Sequence, residues 1–301
     1  MDGTVARPRP LLALGLRLLA ALTLATMAML VKLGAQRGVH LAEMLFWRQA
    51  VTLLIVTALL GALGRLAQIR TGRLRAHGMR AIYGIVGMVF VYGAVILLPL
   101  AEATTLSFTT PIFAVLLAIA LFRERIGLYR WSAVVIGFLG VLIVMQPGSG
   151  DTIDPFGIAA GLVAAFMVAL ISLQIQDLNT TETPFSIIFW FTALTAPVVA
   201  LALPFVFTAH DATTWLVLFA MAVCGAAAQV LLTLSLRFGS AATIIVMDYT
   251  ALVWAVAYGW TVFDTQPPPA LWVGAPLIIA AGLLVAWREH FLQRGRAATE
   301  P

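Results

Sequence analysis

Charge is what this chain has least of. Of 301 residues only 10% are Asp, Glu, Lys or Arg, against about a quarter in an ordinary soluble domain. That excludes a water-soluble fold of this length, because a hydrated surface cannot be assembled from so few ions. A single cysteine, Cys224, excludes an internal disulfide. A single lysine, Lys32, stands among 17 arginines. No GxxxxGK[ST] run is present, which argues against ATP-driven transport by this chain alone, and no HExxH or clustered aspartates point to metal or isoprenoid chemistry.

What the chain has in quantity is apolar length. Hydrophobic residues make up 62%, and the mean hydropathy is +1.01. A helix crossing the hydrocarbon layer needs roughly 20 apolar residues. Runs of that kind fall at 14–34, 42–63, 80–98, 103–122, 130–147, 156–177, 184–207, 213–236, 241–261 and 271–288, which makes ten. They lack the alternation of barrel strands, and helices satisfy their own backbone hydrogen bonds in lipid. The expected fold is an all-α integral membrane protein of ten transmembrane helices.

The arginines orient it. With both termini cytoplasmic, 15 of the 18 basic residues fall on the inner side, among them Arg17, Arg65, Arg73 and Arg80. The net charge of +5 is thereby assigned to loops facing anionic lipid, and nucleic acid is excluded as a partner. A bacterial cytoplasmic membrane is the expected location. Arg7 and Arg9 precede the first run, which reads as a retained helix rather than a cleaved signal.

The chain also repeats itself. Ala103-Thr104-Thr105 opens the fourth run and Ala241-Ala242-Thr243 the ninth. Each leads through an apolar stretch and a polar break to a tryptophan, Trp131 or Trp272, and a glycine-bearing run, Gly137 to Ile143 or Ala280 to Val285. The division falls near residue 150, giving halves 1–150 and 151–301. Five helices is an odd number, so the halves would be inverted relative to each other. That arrangement suits alternating access at a seam between them.

The ten runs, Pro111 within the Ala-rich fourth, and Phe122-Arg123-Glu124-Arg125 before a glycine-rich fifth resemble the drug/metabolite transporter superfamily, and within it the EamA-domain members. The second copy is degenerate, with Tyr249 where a second proline would stand. The resemblance implies a secondary transporter, often an exporter, of amino acids, nucleosides, related metabolites or drugs. A narrower similarity is to bacterial aromatic-amino-acid exporters. It implies no cofactor and no resident metal.

Polar groups inside the runs are the pathway candidates, because they are costly in lipid. Asp248 would bind a substrate amine, exchange a proton, or serve as a structural carboxylate bonded to Tyr or Thr. Lys32 would snorkel to the interface or attract a substrate carboxylate. Arg48 would pair with Glu102 or meet a carboxylated substrate. Gln229, Thr104, Ser107 and Tyr83 offer neutral hydrogen bonds. Trp190, Trp254 and Tyr258 would wall a pocket, or simply pack. Pro111 interrupts its helix and is the hinge candidate.

Overall fold

The computed structural model describes residues 10–122, 128–145, 154–238 and 245–297. Arg123, Glu124, Arg125, Asp151 and Ala241 to Thr243 lie outside them. The described residues form helices and turns, with no strand among them. Among the described residues twelve α-helices follow one another: α1 (Pro10–Gln36), α2 (Leu41–Ala62), α3 (Leu74–Leu97), α4 (Leu100–Ser107), α5 (Thr110–Phe122), α6 (Leu128–Met145), α7 (Pro155–Leu178), α8 (Pro184–Ala200), α9 (Leu203–Val206), α10 (Ala212–Phe238), α11 (Thr250–Phe263) and α12 (Pro269–Ala297). Short 3-10 turns cover Leu66–Ile69 and Ile245–Tyr249.

Six segments among the described residues are long and apolar enough to cross a bilayer: Leu11–Gln36, Leu41–Ala62, Leu74–Leu97, Leu100–Leu117, Pro155–Leu178 and Ala212–Leu232. Shorter apolar helices lie at Val134–Val144, Pro184–Ala200 and Pro269–Leu284. Large apolar side chains such as Leu54, Ile82, Phe138 and Phe219 point outward, as a lipid-facing surface requires. The chain is an all-α integral membrane protein.

The helices associate in a regular pattern. The most extensive packing is α1 along α10, α3 along α7, α2 along α8 and α6 along α12, with α4 against α11. Small residues permit the closest of these. A Cβ on Gly140 would lie 2.9 Å from the Gly274 carbonyl oxygen, and one on Gly274 2.7 Å from the Gly140 oxygen, so α6 and α12 touch backbone to backbone. At the α1–α2 corner Gly38 has φ +81°, a left-handed turn open to glycine, and His40 caps α2 through Nδ1, which accepts from the Ala42 amide at 3.2 Å.

The fourth run is not one kinked helix but two. Pro111 has no N–H to give the Ser107 carbonyl, and the ladder stops at Phe108–Thr109. Three hydroxyls cover the carbonyls at the gap. Ser107 Oγ donates to Thr104 O at 2.6 Å, Thr109 Oγ1 to Leu106 O at 2.7 Å, and Thr110 Oγ1 to Ser107 O at 2.7 Å. The ninth run passes without a gap from the 3-10 turn ending at Tyr249 into α11. That change of helix type meets the break in the fourth run, with the Phe108 and Tyr249 rings edge to face at 4.9 Å.

Candidate functional site

One end of the bundle is closed by the residues around 65–73 and 177–183. Arg73 Nη2 pairs with Asp177 Oδ2 at 2.5 Å, and Nη1 donates to the Asp177 carbonyl at 3.2 Å and Thr181 Oγ1 at 3.1 Å. A cation there complements the C-terminal end of α7. Thr71 donates to Glu182 at 2.6 Å, Ser186 to the same carboxylate at 3.2 Å, and His77 Nε2 lies 3.8 Å from it. Trp190 donates to the Ile69 carbonyl at 2.8 Å. Its place is in this closure, beside His77, rather than in a mid-bundle wall.

The opposite end has a different fastening. Glu43, fully buried near the start of α2, holds His210 Nε2 at 3.0 Å through both carboxylate oxygens and accepts from Trp47 Nε1 at 3.3 Å. Trp47 and Trp215 stack edge to face over it at 5.3 Å. Nearby, Asp211 accepts from the Thr214 amide at 3.0 Å, capping α10, and hydrogen bonds from Thr214 hold its carboxyl below the usual value.

Lys32 neither snorkels freely nor stands open. Its ammonium donates to the carbonyls of Val95 (3.3 Å), Ile96 (3.4 Å) and Leu98 (2.6 Å), at the junction where α3 ends before Pro99. Pro99 has no N–H for the Val95 carbonyl, so the lysine caps the end of α3 from another helix. Glu102, buried in the first turn of α4 with its Oε2 unpartnered, is close enough for its charge to act on Lys32. A crevice between α4 and α11 reaches Glu102 past Pro99, Leu100, Gly259 and Pro267.

Asp248 is bound on both oxygens. Arg17 Nε donates to Oδ1 and Nη2 to Oδ2, each at 2.5 Å. The partner is therefore an arginine of α1 rather than a tyrosine or threonine, and this bidentate pairing joins the first helix to the 3-10 turn that leads into α11. Tyr258 OH meets Thr26 Oγ1 at 2.8 Å along the same α1–α11 contact. Trp254 is half-buried on α11, with its indole N–H buried and unpartnered. Tyr83 is half-buried on α3 and Gln229 on α10, while Thr104 and Ser107 belong to the break after α4.

Arg48 does not pair with Glu102. Its Nη1 donates to the Met88 sulfur at 3.0 Å, and its Nε is buried without a partner. Within reach of its charge is a residue assigned from sequence to an inner loop. Arg80 lies six residues into α3, 7% exposed, because α3 begins at Leu74 rather than at the start of the apolar run. Its guanidinium lies over the Phe191 ring at 4.2 Å, with Nε and Nη1 unpartnered. Beside Arg48 in sequence, Gln49 donates to Thr195 Oγ1 across the α2–α8 contact.

A family model describing EamA-like transporters matches the chain twice, over residues 11–146 and 155–287. The chain belongs to the EamA-like transporter family. It is a multi-pass membrane transporter of the drug/metabolite superfamily and not an enzyme. A riboflavin transporter of Rhizobium johnstonii is 32% identical over 256 residues, covering 84% of this chain and 83% of its own. The riboflavin transporter of Vibrio cholerae is 28% identical over 252 residues, 82% of this chain and 83% of that one. The pseudopaline exporter CntI of Pseudomonas aeruginosa is 29% identical over 268 residues, 88% and 93% of the two chains. A solved crystal structure superposes with a TM-score of 0.63 at 18% identity, covering 93% of this chain and 98% of that one, a likeness of fold. The EamA-like fold thus carries, in this chain, two separately fastened ends and two internal arginines between them.

Proposed function

We propose that this EamA-like transporter is an alternating-access secondary carrier for a small amphipathic metabolite. Its halves, 1–150 and 151–301, would be oppositely oriented, with both termini cytoplasmic in a bacterial cytoplasmic membrane. The observation that carries the reading is the broken helix at Phe108–Thr109, which meets Tyr249 where the 3-10 turn passes into α11. Discontinuous helices along a repeat seam are where carriers place their sites. The helix pairings support it, since exchanging the two halves maps α1·α10 onto α7·α3 and leaves α2·α8, α6·α12 and α4·α11 as self-pairs. The two end closures are the expected gates, each fastened by its own polar contacts.

The relatives' names cover chemically different metabolites, and the aromatic-amino-acid reading receives no support from them. The proposal is therefore kept at the wider class. Energy would come from a solute or ion gradient, and flux measured across imposed pH gradients separates proton coupling from facilitated diffusion. The decisive experiment is counterflow in vesicles reconstituted with the full chain, using riboflavin, amino acids, nucleosides and cationic drugs. Folded protein that exchanges none of these, with both end closures intact, would refute the carrier reading.

A further inference from the structure

The arginines of α2 and α3 are the least explained charges in the bundle. A buried guanidinium without a counter-charge is among the costlier features a chain can hold. Arg80 is buried, Arg48 is half-buried with its Nε buried, and the like charge of Arg48 acts on Arg80. Three of the described acidic groups within reach of the bundle interior are engaged: Glu43 holds His210 and Trp47, Glu182 holds Thr71 and Ser186, and Asp248 holds Arg17. Glu102 acts on Lys32 through its charge, its Oε2 buried and unpartnered, and it pairs with neither arginine. Arg48 and Arg80 are left with a thioether, a phenyl face and three buried N–H atoms without acceptors.

The surroundings are shaped to hold them. A Cβ on Gly84 would lie 2.2 Å from Arg80 Nη1 and 2.3 Å from the Phe191 ring, so the stack exists because residue 84 has no side chain. A Cβ on Gly225 of α10 would lie 3.0 Å from Arg48 Nε. Arg80 is fixed face-on by Phe191, which orients its N–H edge rather than satisfying it. The arginines come from α2 and α3, and Phe191 and Gly225 from α8 and α10, so the cluster spans both halves of the chain.

We propose that Arg48 and Arg80 form an anion site that takes the carboxylate of a small organic substrate inside the bundle. Planar guanidinium edges match a carboxylate through paired hydrogen bonds, which a lysine would not do. The assignment rests on the carrier reading and names the substrate class it would move. A carboxylate bound here supplies the missing counter-charge and bridges two helices of one half against walls from the other.

The test uses the full chain purified in detergent, with phenylacetate, phenyl phosphate and the neutral phenylacetamide as probes. Phenylacetate is expected to raise the thermal midpoint saturably, and phenylacetamide is not. Arg80→Gln and Arg48→Gln should each weaken phenylacetate at least tenfold, and Gly84→Ala should weaken it by displacing Arg80. Arg80→Met without probe should melt no lower than wild type, because it removes an uncompensated cation; a structural arginine would instead make that variant less stable. Equal stabilisation by phenylacetamide, an unaltered response in Arg80→Gln, or no response to either anion would overturn the site. A response to phenyl phosphate alone would overturn its assignment to carboxylates. Counterflow keeps the two readings apart. Vesicles that exchange only neutral or cationic solutes, at the same rate in Arg80→Gln, sink the anion site and leave the carrier. Anion binding without any exchange sinks the carrier and leaves the site.

Discussion

Replacing Lys32 with methionine separates a structural cation from a substrate-attracting one. The side chain stays unbranched, one atom shorter, and loses its three donors. In the native structure the 2.6 Å bond to the Leu98 carbonyl is the strong one, and the contacts at 3.3 and 3.4 Å add less. A hydrogen bond to a charged group contributes about 1.5–3 kcal/mol, and a cation at a helix C-terminus about 0.3–1 kcal/mol. Desolvation of the half-buried ammonium offsets part of this, which leaves a net loss of about 2 kcal/mol on substitution. For chains near this size that corresponds to a thermal midpoint lower by roughly 4–8 °C. The assay is thermal unfolding of the purified chain, with solute exchange measured alongside. Stability within about 0.5 kcal/mol of wild type, together with a raised KM for carboxylated solutes only, would refute the capping role.

The remaining predictions concern the other fastenings. Asp248→Asn should impair exchange while folded protein remains in the membrane, and a double-mutant cycle with Arg17→Gln should give a coupling of about 1–3 kcal/mol, between exposed and buried pairs, read from unfolding midpoints. Glu43→Gln weakens the hold on His210 and should speed alkylation of Cys224, half-buried beside Gly225, by a membrane-impermeant maleimide. Gly140→Ala forces a methyl against the Gly274 carbonyl and should destabilise by about 1–3 kcal/mol in the same melts. Asp211 has a depressed carboxyl, so its contribution to stability is present above the unfolded value near about 4 and is lost as pH falls through the lower folded value. Melting curves taken down that range should show the loss in wild type and not in Asp211→Ala.

Hydropathy placed six of the ten expected spans on long apolar helices among the described residues, because lipid imposes one coarse rule on every span. The start of α3 shows where that rule fails. Leu74 to Met79 includes His77 and Gly78 and reads as loop, yet it is helical, with His77 fully buried beside Glu182. Arg80 was consequently counted among the inner-loop charges. Arg17 was counted there too, although its partner Asp248 lies 231 positions away. The latch between Glu43 and His210 spans 167 positions and had no local sign. Composition identifies a costly polar residue in a span, but only tertiary packing says which other residue offsets the cost. Lys32 illustrates the same limit, because the group it serves is a set of backbone carbonyls, which leave no mark on side-chain identity. The break before Pro111 was legible, because proline announces it. The change of helix type at Tyr249 carries no such sign.

The hydroxyl collar at Phe108–Thr109 has a consequence for how this discontinuity can exist in lipid at all. Ser107, Thr109 and Thr110 carry their own acceptor-satisfying groups to the gap, standing in for the solvent that would otherwise have to wet it. The carbonyls at the gap are therefore satisfied while the helix remains interrupted, and its three small alcohols matter through the bare carbonyls their loss would leave, far more than through any helix preference of their own.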